Sequence, residues 1–392
     1  MIKKIFSSTL FKLIIAVILG LIVGSYANDG LMNVVVTVKY IVGQLIFFMI
    51  PLIVLAFISL SIAKMGSSAS KMVGISVSIA YLSSVGAALL ALSVGYSLLP
   101  IMVIESAKES IKNTPPLIFE LTITPVMSVM SALVLALFVG LSSVWTKSKT
   151  IITIISEFQR MVLALINRVL IPILPLFIAA NFAIIGYEGV LVKQLPIFIN
   201  VMVVVLIAHF VWLAILYTIG GLVANKNPFE VIKHYAPPYF TALGTMSSAA
   251  TLPVSLKAAK KSTILNDKTV DFSIPLFSNI HLCGSILTEV FFVLTVSKII
   301  YGTLPELSTM ILFVVLLAIF AIGAPGVPGG TVIASLGIVT SIVGFDEKAT
   351  ALLLTIFALQ DSFGTACNVV GDGALTMIMS RFTSESSSKK LD

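Results

Sequence analysis

Gln360-Asp-Ser-Phe-Gly-Thr-Ala-Cys-Asn-Val-Val-Gly-Asp-Gly373 places two carboxylates inside a stretch otherwise apolar enough to cross a membrane. At the helical 100° per residue, Asp361, Thr365, Asn368 and Asp372 fall at about 0°, 40°, 340° and 20°, so all four share one narrow face. An acid at the bilayer centre costs roughly 2.5–3.5 kcal/mol on insertion scales. A face with two of them must meet protein, water, a cation or a polar ligand. A seam that glues two helices is the plain alternative, but such glue is usually neutral Ser, Thr or Asn.

The rest of the chain supports a membrane setting. Of 392 residues, 58% are hydrophobic and only 10% charged, against about 25% charged in soluble domains. Mean hydropathy is +1.12. The composition points to an all-α polytopic membrane protein, without the strand-rich alternation of a barrel. The net charge of +7 is no nucleic-acid footprint, because Lys and Arg sit mostly in short connections, as the positive-inside rule expects. Cys283 and Cys367 fall in apolar segments without metal-ligand spacing and read as small packing residues. Met1-Ile-Lys-Lys4 precedes an apolar run with no small-residue cleavage site, so a retained first helix is expected.

Six spans are expected first: Leu10 to Ala27, Val34 to Ala63, Met72 to Pro100, Val126 to Trp145, Ile151 to Ile185 and Pro196 to Ala224. Ile101 to Pro125, with Glu105, Lys108, Glu109, Lys112, Glu120 and two adjacent prolines, reads as an exposed loop. Starting from a cytoplasmic Lys3 and Lys4, the even-numbered exits carry Lys64 and Lys71, Lys147 and Lys149, and Lys226 and Lys233. Both termini are therefore expected in the cytoplasm of a cell membrane protein, with the acid-bearing loop outside.

After Ala224 the pattern changes. Tyr235 to Lys261 is too polar and broken to span cleanly, with Ala236-Pro-Pro-Tyr239, Gly244 and Ser247-Ser-Ala-Ala-Thr-Leu-Pro253. Ile274 to Ile299 reads as a seventh, full span holding Asn279, His281, Ser285 and Glu289. Ile311 to Val343 is broken again, by Gly323-Ala-Pro-Gly-Val-Pro-Gly-Gly-Thr331, and about Thr350 to Ser380 is the last helix. Non-helical backbone at membrane depth is tolerated only where it is buried in protein or lines a wet cavity. Two such units in one chain point to a transporter whose site lies between repeats.

A helix restarting at Ser247 and Ser248 offers free N–H groups and a positive dipole end to a carboxylate. A flexible turn at the membrane edge is the plain reading. Gly323, Gly326, Gly329 and Gly330 with Pro325 and Pro328 break the second segment and free carbonyls that can hold cations. His281 and Glu289 lie about 80° apart and do not share a line. His281 serves either packing or ligation, and Glu289 is expected to face water near a helix end. His209 and His234 carry no pattern, so packing or interface roles are the default. The chain lacks a Walker phosphate loop, His-Glu-x-x-His, Cys-x-x-Cys and a serine nucleophile elbow, so neither nucleotide-driven pumping nor soluble-type hydrolysis is supported. A passive channel would need a ring of like residues on a continuous pore helix, and the chain has broken hairpins instead. An intramembrane hydrolase using Ser247 or Ser248 with His281 is weaker still.

Ser247-Ser-Ala-Ala-Thr-Leu-Pro253, Gly326-Val-Pro-Gly329 and Asp361…Asn368-Val-Val-Gly-Asp372, in that order, resemble the dicarboxylate/amino acid:cation symporter family, to which glutamate transporters belong. The resemblance covers most of the chain. It implies eight transmembrane helices plus two re-entrant helical hairpins, a homotrimer in membrane lipid, and a transport domain sliding against a scaffold. Residues 1–72 would hold scaffold helices 1 and 2, and 73–125 helix 3 and the outer loop. Residues 126–224 would hold scaffold helices 4 and 5 with helix 6, 225–382 the transport core, and 383–392 a cytoplasmic tail. Carried over, Asp361 matches the acid that binds the substrate amine, and Thr365 and Asn368 match substrate positions. Ser247 and Ser248 match the first hairpin tip, and Gly326, Val327 and Gly329 the gate of the second. Asn368 and Asp372 match a sodium site. Asn279 and His281 stand in the seventh-helix region that the family uses for cations.

Two departures shape the functional expectation. Family members that carry acidic amino acids have an arginine at the position of Gly364. Its absence, with Asp361 retained, favours a small neutral amino acid, and Gln360-Asp-Ser-x-x-Thr-Ala resembles the family's serine/threonine transporters. A C4-dicarboxylate or acidic amino acid remains the alternative substrate. The family's Asn-Met-Asp-Gly-Thr is His281-Leu-Cys-Gly-Ser285 here, which implies that one sodium site is lost. The expectation is a sodium-coupled symporter, not an enzyme, with no other cofactor. A proton carried by His281 is the alternative coupling ion.

Overall fold

The computed structural model describes residues 9–67, 71–102, 114–188, 191–324 and 329–388. Among them every regular element is helical. In chain order these are α1 (Thr9–Tyr26), α2 (Asp29–Ser67), α3 (Lys71–Leu98), α4 (Val129–Trp145), α5 (Lys149–Leu165) and α6 (Ile171–Tyr187). A π-helical turn, Ile166–Leu170, joins α5 to α6. There follow α7 (Leu191–Ala224), α8 (Phe229–Ile232), α9 (Ala236–Thr245), α10 (Ser248–Ala259), α11 (Asp267–Ile280), α12 (Cys283–Tyr301), α13 (Leu307–Gly323), α14 (Gly330–Ile338) and α15 (Glu347–Ser388). Among the described residues, six stretches are long and apolar enough to cross a membrane: Asp29–Phe57, Met72–Leu98, Lys149–Tyr187, Ile197–Ala224, Asp267–Tyr301 and Glu347–Phe382.

The helices gather into two assemblies. In the first, α1 lies along α6, and α2 packs on α4, α5 and α6. The α1–α6 contact follows from Gly20-Leu-Ile-Val-Gly24, a small-xxx-small stripe. A Cβ on Gly20 or Gly24 would strike the carbonyl oxygens of Ala179 and Ala183, so the two backbones touch. In the second assembly α12 and α15 form the centre, with α3, α7, α9 and α11 packed around them. Helix α7 thus sits against the last helix rather than with α4 and α5. The burial pattern agrees: 94% of the Asp267–Tyr301 apolar window is inside the molecule, against 39% for Ile197–Ala224. A helix apolar on every side is a core helix, whereas one with an exposed apolar flank meets lipid. Ile207, Phe210 and Leu222 of α7 form such a flank.

The two broken segments become helix pairs. In α9–α10 the turn is Met246, at φ 52°, followed by Ser247 as the N-cap of α10. In α13–α14 the chain leaves α13 at Gly323 and enters α14 through Gly329, at φ 71°. Left-handed φ suits Gly329 and strains Met246. The seventh span is not continuous: α11 ends at Ile280, His281 and Leu282 are non-helical, and α12 starts at Cys283. Neither His281 nor Leu282 is a proline or a glycine, and Pro275 lies inside α11 rather than at the break. The break exists because partners from other helices satisfy the freed backbone groups.

Candidate functional site

Helix α15 carries the four polar residues on one face, and all are buried: Asp361, Thr365, Asn368 and Asp372 are each at most 5% exposed. Asp361, Asn368 and Asp372 each meet a different part of the fold, so the face is a meeting line rather than a seam between two helices.

Towards the N-terminal end of this face Asp361 accepts a hydrogen bond from the Gly329 N–H, 2.7 Å away. Gly329 is the N-cap of α14, where free N–H groups and the helix dipole favour a carboxylate. Gly329 thus brings the start of α14 into direct contact with Asp361. Val327 lies outside the described residues.

The α9–α10 turn reaches the same helix from another side. Ala242 of α9 shares a buried cluster with Ala366 and Val369, and Met246 shares one with Ala358, a turn before Asp361. The Ser247 hydroxyl caps α10 by accepting from Ala250 N–H at 3.3 Å. Thr251 ties the turn through Ser247 O at 2.9 Å and Thr245 Oγ1 at 3.1 Å. Ser248 is buried.

The middle of the face holds the α11–α12 break. Asn368 Oδ1 accepts from the N–H groups of Gly284 (2.7 Å) and Ser285 (3.2 Å), and its Nδ2 donates to Ser285 Oγ at 2.9 Å. This is an N-cap supplied from another helix, so α12 can start without a capping residue of its own. On the far side His209 Nε2 lies 3.0 Å from the Gly284 carbonyl and 2.9 Å from Thr288 Oγ1. The C-terminal end of the face meets His281, whose Nδ1 is 2.9 Å from Asp372 Oδ1 and whose Nε2 is 2.8 Å from Ser83 Oγ of α3.

Two residues differ from expectation. Glu289 does not face water: it is fully buried, and Ser335 of α14 donates to its Oε1. Among the described residues its Oε2 has no hydrogen-bond partner. His209, for which packing or interface roles were the default, is buried and bridges α7 to the start of α12. Asn279 is exposed and its amide donates to the Pro275 carbonyl of its own helix at 2.8 Å, apart from the Asp372 cluster. Ser83 and Ser335 were not picked out, since a serine in an apolar helix is usually a back-bonded packing residue. Cys283 and Cys367 are free and buried.

A model of the sodium:dicarboxylate symporter family matches residues 10–382. The chain belongs to the sodium:dicarboxylate symporter family. Relatives include excitatory amino acid transporter 3 of Bos taurus, 25% identical over 65% of this chain and 48% of that protein. The Homo sapiens excitatory amino acid transporter 3 is 29% identical over 53% of this chain and 39% of its own length. A putative sodium-dependent excitatory amino acid transporter of Caenorhabditis elegans is 31% identical over 38% and 28%. The matched stretch thus spans half or less of these curated relatives.

The family's name implies a sodium ion, so the fit of Asn368 and Asp372 to one can be tested. Sodium is a hard cation that needs several oxygen ligands at once. Both lone pairs of Asn368 Oδ1 face backbone N–H groups, and Asp372 Oδ1 faces an imidazole. In this symporter-family chain, the donor set at Asn368 and Asp372 does not fit sodium.

Proposed function

We propose that the chain is a secondary active symporter that imports a small neutral amino acid across the cell membrane, coupled to sodium. The observation that carries this reading is Asp361, a buried carboxylate that, among the described residues, accepts a hydrogen bond from Gly329 at the start of α14. The substrate's ammonium takes the place of the Gly329 N–H on Asp361, so binding and opening of the α13–α14 gate are one exchange. The substrate's carboxylate meets the α10 N-terminus at Ser247 and Ser248. Thr365 and the spare Nδ2 hydrogen of Asn368 complete the polar wall. Gly364 provides no cation for a second carboxylate.

The assembly around α12 and α15 is the moving part and carries the site past α1, α2, α4 and α6. A cavity of about 370 Å³ lies at that boundary, lined by Lys39, Gln44, Glu188, Glu347 and Lys348 among others. Sliding would remodel it. The membrane arrangement is eight spanning helices with α9–α10 and α13–α14 as re-entrant hairpins, both termini cytoplasmic, in a homotrimer.

A second reading, an acidic amino acid or C4-dicarboxylate symporter, is supported by the family's name and by the relatives' description as excitatory amino acid transporters. The test is uptake into liposomes holding the purified full chain. Asp361→Ala should abolish uptake of a labelled neutral amino acid, and replacing external sodium by a large organic cation should stop it in the unsubstituted protein. Wild-type-like uptake by Asp361→Ala would defeat the assignment.

A further inference from the structure

The carboxylate of Asp372 is 1% exposed, and its Oδ1 lies 2.9 Å from His281 Nδ1. A buried carboxyl group needs a hydrogen-bond partner or a positive pole beside it, and removing that partner is destabilising. We propose that His281 is the resident group at Asp372, built into the fold where a coupling cation would otherwise sit. This rests on reading the cluster as a cation position of the symporter.

Three observations carry the proposal. First, the imidazole bridges three elements, from Ser83 on α3 through the α11–α12 break to Asp372 on α15. An N–H of the ring supplies the positive pole, and the two bonds set its orientation. Second, the ring is clamped. A Cβ on Gly371 would lie 2.9 Å from His281 Cε1, so the ring rests against bare backbone. Phe277 meets it edge-on at 6.4 Å between centroids. Third, the surroundings do not suit a hard cation. The same Gly371 Cβ would lie 3.3 Å from Cys283 Sγ, so a thiol flanks the ring. The nearby Tyr217 hydroxyl donates to the Val370 carbonyl at 3.0 Å. The Asn368 carbonyl oxygen is bound to the α12 cap. His281 therefore fixes the break in helical register and leaves the coupling sodium to bind elsewhere.

The test is sodium-dependent thermal stabilisation of the purified full chain, without substrate, in four forms: unsubstituted, His281→Asn, Asp372→Asn and the double variant. In the unsubstituted protein, Asp372→Asn should leave the half-stabilising sodium concentration within about twofold, well inside the tenfold that 1.4 kcal/mol represents. His281→Asn exposes an oxygen donor and leaves Asp372 without its pole. It should melt lower in sodium-free buffer and gain a sodium stabilisation that Asp372→Asn removes. If His281→Asn does not fold, Ser83→Ala loosens the ring and should gain the same response more weakly. The proposal is overturned if Asp372→Asn alone shifts the unsubstituted protein's sodium midpoint tenfold or more, or if a structure at high sodium shows an ion on Asp372 with the ring swung away. Because the readout is melting, loss of uptake would count against the transport reading alone.

Discussion

Gly364 and Ser285 pack backbone to backbone: a Cβ built on Gly364 would stand 3.2 Å from Ser285 Cα and 3.4 Å from the Gly284 carbonyl carbon. The contact is reciprocal, since a Cβ on Gly284 would fall 2.5 Å from the Gly364 oxygen and onto Cys367 Cβ. The start of α12 occupies the space where a side chain at 364 would begin. Gly364→Ala should cost about 1 kcal/mol, the low end of overpacking, and keep transport. Gly364→Arg should lower the melting temperature sharply without conferring uptake of aspartate. Melting curves with parallel uptake of serine and aspartate check both, and a stable arginine variant that imports aspartate would contradict this packing.

Asn368 holds the break as a cap from outside the helix. Asn368→Ala leaves two buried N–H groups without an acceptor and should destabilise the protein by about 2 kcal/mol or more. Asn368→Asp retains an acceptor for both and should recover part of that loss. Thermal melting of the two variants side by side reads the difference.

Glu289 and Ser335 join α12 to α14. Ser335→Ala removes the hydroxyl and leaves the carboxyl with no protein partner on either oxygen, a loss of about 1–3 kcal/mol. Glu289→Gln retains an acceptor for Ser335 and should melt closer to the unsubstituted protein. Equal melting of the Ser335→Ala variant and the unsubstituted protein would show that the bond contributes nothing.

Gly20 and Gly24 let α1 touch α6. Gly24→Val puts a branched side chain against the Ala183 backbone and should separate the two helices. The expected result is a lower melting temperature, with a loss of about 2 kcal/mol or more. The same change at Gly74, where an added Cβ meets nothing within 4 Å, should be near neutral.

The polar face of α15 was legible because helical spacing alone puts Asp361, Thr365, Asn368 and Asp372 on one line. The two broken segments were legible because Gly, Pro and small polar residues punctuate apolar runs. The turn residue itself was not: Gly244 is helical and Met246 takes the left-handed position, a choice set by packing against Ala358 rather than by propensity. The α11–α12 break was hidden because His281-Leu282 contains neither breaker residue, and its cap, Asn368, comes from 84 positions away. Glu289 was misjudged for a related reason. Sequence shows its place on the helix, but the neighbour that buries it, Ser335, arrives only with the folded α14.

Counterflow in liposomes tests the central claim most directly, that a neutral substrate meets Asp361 through its amine. Labelled serine should accumulate in vesicles preloaded with unlabelled serine, and aspartate or succinate inside should not support that exchange. The isosteric Asp361→Asn protein, which keeps an acceptor for the Gly329 N–H, should fold and lose the exchange. Counterflow driven by aspartate or succinate but not by serine, or undiminished exchange in Asp361→Asn, would contradict the account.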